Sequence, residues 1–202
     1  MKFIDHKTLA VFWAKNCGAE LSLINRCAFV FGNIQPDMNV LTFLHGFRKH
    51  QKFHGHNFNN VLPVLLRLVE SRGKSPLAIC NYYRLGKCLH YTADIFTFAH
   101  NESFTGDISE HRRYEFALHD RLTERLDEFT PQMSPLTTSA EMLKRTLVAM
   151  HDRYLADGPG CARDCGYILG STRMLVEASL QPEKKVMPYA NFAYNRLVSS
   201  RN

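Results

Sequence analysis

The sequence predicts an all-α fold, a single-domain bundle of six or so helices built from residues 1–202. Three observations carry this expectation. Apolar residues recur at intervals of three and four in segment after segment, the spacing that lines one face of a helix. Alternation of apolar and polar residues, the mark of a half-buried strand, never lasts beyond a few positions. Finally, 45% of the chain is hydrophobic and 22% charged, with 11 Gly and 8 Pro, a balance that suits one packed core and excludes a disordered or low-complexity chain.

Taken in order, Leu9, Phe12, Trp13, Leu21, Leu23 and Ile24 give an amphipathic amino-terminal helix broken near Gly18. The apolar run Phe29-Val30-Phe31 precedes Gly32 and Pro36, which bracket a polar turn and place Asp37 in a loop. Residues 45–58 carry Gly46, Gly55 and His45, His50, His54 and His56 without periodicity, and read as a long functional loop. From Asn60, an N-cap, Val61, Leu62, Val64, Leu65, Leu68 and Val69 form a helix that stops at Gly73. Ser75-Pro76 opens the longest helix, whose apolar positions run from Leu77 to Ile95. Another begins at Ser109 and continues through Tyr114, Leu118, Leu122 and Leu126, with a solvated face of Glu110, Arg112, Arg113, Asp120, Arg121 and Glu124. Thr138-Ser139-Ala140-Glu141 reads as a capping box for a helix ending at Gly158-Pro159-Gly160, and a last helix spans about 162–180. The final 20 residues are expected to be irregular and to wrap the surface.

No apolar run reaches the roughly 20 residues a bilayer span needs, and 1–15 lack the apolar stretch of a secretory signal, so the expected location is cytoplasmic. Net charge is +6, but the 25 Lys and Arg are scattered, and no stable nucleic-acid complex is expected. The six cysteines form no CxxC, and the i,i+4 and i,i+8 spacings of Cys161/Cys165 and Cys80/Cys88 are those of reduced residues packed on helices.

Ten histidines are the unusual count. His90 and Asp94 stand at i and i+4 on the longest helix, where both point the same way and can bind one ion. One such pair is most often a surface hydrogen bond. The next helix repeats it with His111 and Glu115, and His119 extends that face. Along a continuous helix His100 lies roughly 15 Å beyond His90 on a different face, which implies a second ion, and a turn at 101–107 brings His100 to His111 and Glu115. Asp37 and one of His54 or His56 complete a donor set of nitrogen and oxygen without thiolate, the chemistry of a catalytic zinc cluster.

The order of these residues resembles the zinc-dependent phospholipase C family, which also includes relatives of the S1/P1-type nucleases. That family shows an early His, a Pro-Asp after a Gly-containing turn, a loop His, then HxxxD, a His six residues on, and HxxxE. Here they read His6, Pro36-Asp37, His56, His90-x-x-x-Asp94, His100 and His111-x-x-x-Glu115, over roughly residues 6–118. The resemblance implies a hydrolase that cleaves a phosphodiester, phospholipid-like substrate with two to three zinc ions, together with peripheral membrane contact. It gives one zinc to Asp37, His56, His90 and Asp94, a second to His100, His111 and Glu115, and a third to His6 with Asp94 bridging. His56 is preferred to His54 because Gly55 precedes it, as a small residue does in the family. Asp37 is the implied catalytic residue, ligand and general base together. Asn57, Asn59, Tyr91 and Phe98 are candidates for lining the substrate site. The secreted enzymes use a processed amino-terminal Trp as a ligand of the third zinc, whereas this chain begins Met1-Lys2-Phe3 and offers none.

Two other readings stand beside it. His119-Asp120 and His151-Asp152 are His-Asp dipeptides of the kind found in HD-type phosphohydrolases, although that assignment leaves Asp37, His90 and Asp94 without a role. The other is a zinc-stabilised binding module without turnover. His45, His50 and His151 are expected to be surface or hydrogen-bonded residues.

Overall fold

The computed structural model describes residues 1–17, 21–38, 58–71, 75, 77–134 and 136–179. Among these are seven α-helices and one 3-10 turn, and no strand. They run α1 (Phe3–Asn16), α2 (Leu23–Met38), α3 (Phe58–Glu70), α4 (Ala78–Ile95), the 3-10 turn Phe98–His100, α5 (Ile108–Glu128), α6 (Ala140–Asp157) and α7 (Cys161–Ser179). The all-α expectation holds. Of the loop expected over 45–58, Phe58 instead begins α3, and 45–57, with His45, His50, His54 and His56, lie outside the described residues, as do the residues from 180 onward.

The first correction concerns Asp37. Gly32 and Pro36 do not bracket a turn; both sit inside α2, and Asp37 occupies its last turn. Gly32 is there because a side chain would not fit: a Cβ at this position would collide with the carbonyl oxygen of Tyr83 on α4. Gly86 of α4 has the same role in reverse, since its Cβ would collide with the carbonyl oxygen of Phe29. Two glycines therefore let α2 and α4 touch backbone to backbone, a close approach that only hydrogen in place of Cβ permits. Gly86, His90 and Asp94 lie at successive i,i+4 positions, so the crossing that needs Gly86 aims the same face of α4 at α2.

The second correction concerns the end of α4. The helix is not continuous to His100 but stops at Ile95. Thr97 is extended, and the Asn101 amide then donates to the carbonyl oxygens of Ile95 (3.2 Å) and Thr97 (2.9 Å), which fixes the reversal. No Gly or Pro marks this boundary. The side chain of Asn101 satisfies carbonyls that a helix end leaves open.

The remaining elements follow their local chemistry with small shifts. The helix expected from Ser109 starts at Ile108, capped by a reciprocal pair in which Glu110 N–H donates to Asp107 and Asp107 N–H donates to Glu110. Ser139 caps α6 by accepting from Met142 N–H at 3.1 Å, while Glu141 pairs with Arg145 rather than closing a capping box. Gly158 ends α6 with φ of 80°, a left-handed conformation that suits glycine.

The core is an apolar cluster that includes Leu9, Trp13, Leu65, Leu89, Ile95, Phe96, Leu118, Leu122, Leu143, Leu147 and Ile168. Trp13 is fully buried and its indole N–H donates to Thr172 Oγ1 at 3.0 Å, so α1 is anchored on α7. His6 stands at the amino end of the same stripe, with Leu9, Ala10 and Trp13, and is carried inward with it. None of the six cysteines forms a disulfide; Cys17, Cys88 and Cys165 are buried, and Cys27 is exposed.

Candidate metal centre

Asp94 is the point on which the site converges. Its carboxylate is fully buried. Oδ2 faces His90 Nε2 at 3.2 Å, one helical turn away, while Oδ1 faces His6 Nε2 at 3.2 Å and His100 Nδ1 at 3.3 Å. The rings of His6 and His90 stack with centroids 3.8 Å apart and planes inclined by 25°. Asp37 reaches the same place from the end of α2, with Oδ1 3.7 Å from His90 Nε2.

A second group lies beside the first. His111 Nε2 and His100 Nε2 stand 3.3 and 3.4 Å from Glu115 Oε1, and the His100 and His111 rings stack at 5.3 Å. His6, His90 and Asp94 form one set of donor atoms lying within 4.8 Å of one another, and His100, His111 and Glu115 form another. The 15 Å argument for separating His90 from His100 falls with the continuous helix. The separation itself survives, because His100 turns back toward α5. His6 sits with His90 rather than apart from it.

Between the two groups lies the amino nitrogen of Met1, 2.7 Å from His100 Nε2, 3.1 Å from Glu115 Oε1 and 3.4 Å from Asp94 Oδ1. The sequence reading placed no donor from Met1-Lys2-Phe3 here. The structure brings a main-chain nitrogen to this place instead.

The electrostatics favour ligand-ready states. Burial pushes His90 down to about 4, and the nearby His6 adds to this against the pull of Asp94. His100 is lowered by burial and by the amino group of Met1. Burial alone would raise Asp94, but His90, His100, Met1 and His6 hold it well below the usual carboxylate range. Glu115 is likewise lowered, burial being outweighed by hydrogen bonds from His100 and His111. Neutral imidazole and ionised carboxylate are the forms that bind metal. The donor set is imidazole and carboxylate throughout, with no thiolate in either group, as zinc accepts at catalytic sites.

The model of the zinc-dependent phospholipase C family matches residues 5–161. The chain belongs to that family. This phospholipase C family member is therefore a zinc-dependent hydrolase of phospholipid phosphodiesters, and its two donor groups, one buried and one partly buried, fit a multinuclear zinc site. No curated protein and no solved structure matches it.

Membership also sorts the other histidines. The dipeptides His119-Asp120 and His151-Asp152 do not act as His-Asp pairs in this family member. His119 Nδ1 bonds Asp5 of α1, and His151, 2% exposed, stacks on Phe58 and contacts Asn101 Oδ1 at 2.7 Å. Among the described residues neither belongs to a donor group, and the family match stands in place of the HD-type reading. Tyr91 stands edge-on to His90 and is pushed up to about 12 by burial, and Phe98 lies in the 3-10 turn. Asn57, the side chain of Asn59 and His56, the ligand the resemblance implies, lie outside the described residues. Sequence reasoning missed Asp5. Its carboxylate also accepts from Lys2 N–H at 3.1 Å, the i,i+3 spacing of an N-terminal cap, and that spacing was the available signal.

Proposed function

We propose that the phospholipase C chemistry of this chain is divided among its residues as follows. Asp37, His90 and Asp94, with His56, would hold one zinc; His100, His111 and Glu115 would hold a second; His6 would hold a third shared with Asp94. Zinc held there would supply positive charge toward the phosphodiester, an acidified water and stabilisation of the leaving alkoxide. Asp94 suits the bridging role because its two oxygens face different partners, Oδ2 toward His90 and Oδ1 toward His6 and His100.

The observation that carries the assignment of the base is the position of Asp37. Its carboxylate is 18% exposed, whereas that of Asp94 is fully buried, so of the carboxylates beside His90 it is Asp37 that a substrate water can reach. Held at the end of a helix and 3.7 Å from His90, it accepts a proton from water at a fixed position.

Contact with the bilayer is peripheral in this reading. No described helix is long and apolar enough to cross a membrane. The exposed Phe3 and Ile108 lie in the first turns of α1 and α5, the exposed Phe116 follows Glu115 on α5, and Lys2 Nζ lies 3.2 Å above the Phe116 ring. Apolar rings beside a cation match a phospholipid surface. The deciding experiment assays zinc-loaded protein, parent and Asp37→Asn, on phospholipid vesicles. Phosphodiester cleavage by the parent and its loss in the variant is the expected result; equal activity in both overturns the assignment of the base, and none in either overturns turnover.

A further inference from the structure

Asp164 lies on the first turn of α7, just beyond the family match, and is fully buried. Its Oδ2 accepts two hydrogen bonds, from the backbone N–H of Phe98 and from the hydroxyl of Tyr114, both at 2.9 Å. Its Oδ1 accepts from the hydroxyl of Tyr154 at 2.8 Å. These three donors come from the 3-10 turn, α5 and α6, and no salt bridge joins Asp164 among the described residues.

Burying a carboxylate without a cation is unfavourable, and an apolar side chain of similar volume would serve a packed core as well. What the carboxylate provides is direction. Phe98 lies two residues before His100. Tyr114 lies between His111 and Glu115. One oxygen atom therefore ties together the two segments that supply His100, His111 and Glu115. Tyr154 by contrast belongs to α6, which carries no donor of either group.

We infer that Asp164 is a positioning residue for the second zinc site, its Oδ2 fixing the 3-10 turn against α5 so that His100 meets His111 and Glu115. Groups that hold ligands from behind commonly change metal affinity by 10–100-fold when removed. This rests on the division of the zinc ligands proposed above.

The two tyrosines provide the test, since both donate to the same carboxylate but only one belongs to a ligand-bearing helix. Zinc is titrated into metal-free protein against a chromophoric chelator, and the visible spectrum of the cobalt-substituted protein is recorded. The series comprises the parent, Tyr114→Phe, Tyr154→Phe, Asp164→Ala and Asp164→Asn, with Glu115→Gln marking the signal of the second site. Tyr114→Phe and Asp164→Ala should weaken that site by roughly tenfold or more and alter its cobalt bands. Tyr154→Phe should lower Tm and leave the site unchanged. Asp164→Asn, whose amide oxygen can still accept from Phe98 and Tyr114, should restore affinity. If Tyr114→Phe and Tyr154→Phe change Tm alike and neither changes metal affinity, Asp164 is only a brace for the fold and the inference falls while the zinc assignment stands. If the parent binds no zinc, both fall.

Discussion

His6 and His90 lie face to face, 3.8 Å between ring centroids, with Nε2 of each directed at the carboxylate of Asp94. Two imidazoles that converge on one buried carboxylate make a set of metal donors, and zinc bridged by Asp94, as proposed above, would account for the convergence. Protein purified without chelator is therefore expected to carry two or three zinc ions per chain by elemental analysis, and a content below one would contradict the site. Since the donors come from α1, α2, α4, the 3-10 turn and α5, strong chelation should lower Tm. A melting curve indifferent to chelator would count against a buried cluster.

Asp37→Asn should reduce phosphodiester cleavage by roughly 10²–10⁴-fold, the contribution of a positioned base. Its helical circular dichroism should match the parent, because Asp37 stands at the end of α2 and is not part of the apolar core. Activity within a few-fold of the parent would remove it from the base position.

Asp94→Asn and Glu115→Gln keep shape and remove charge, so their metal contents can be compared directly. Asp94 faces His6, His90 and His100, whereas Glu115 faces His100 and His111, and both lie near the amino nitrogen of Met1. The Asp94 variant should lose more than one ion and the Glu115 variant about one. Equal losses would mean that Asp94 does not bridge.

Gly86→Ala places a methyl group against the backbone of Phe29 and Asn33, neither of which can move as a flexible side chain would. Overpacking of this kind costs about 1–3 kcal/mol. By separating α2 from α4 it should also draw Asp37 away from His90, so zinc affinity should fall along with Tm. Stability and affinity both unchanged would show that the helices do not need this approach.

Burial lifts the carboxyl of Asp164 to about 6, although the Phe98, Tyr154 and Tyr114 hydrogen bonds pull it down. Its ordinary value is 3.8, so the folded chain holds this proton more tightly than the unfolded one. The associated stability is complete below about pH 4 and is lost as pH rises through about 6, about 3 kcal/mol for a shift of this size. Tyr114, Tyr154 and Cys161 around it are themselves raised and stay neutral in that window. Measured from pH 4 to 7, the Tm of the parent should therefore fall relative to Asp164→Asn. A constant difference between the two would exclude titration of Asp164 in this range.

The helices were legible because their apolar positions face one core, and the motifs at 90–94 and 111–115 were legible because a helix converts i,i+4 spacing into a shared direction. Asp37 was misplaced for a physical reason. Gly32 and Pro36 have the composition of a turn, and nothing in α2 alone reveals that Gly32 is small because Tyr83 approaches it. Gly86, one turn before His90, was the matching half of that signal. The stop at Ile95 was invisible because a single side chain, Asn101, does the work usually left to Gly or Pro. Asp164 gave no local sign, since its partners lie 10, 50 and 66 residues away.

The contact between His6 and Asp94 spans 88 residues of chain. Helical bundles fold quickly because most of their contacts are local, but closing so long a loop carries an entropy cost that local contacts do not repay. Helix formation and closure of the site are thus separate events in time. In stopped-flow refolding, far-ultraviolet ellipticity should recover before cobalt colour develops, and the lag should lengthen if Trp13, which anchors α1 on α7, is replaced by Phe.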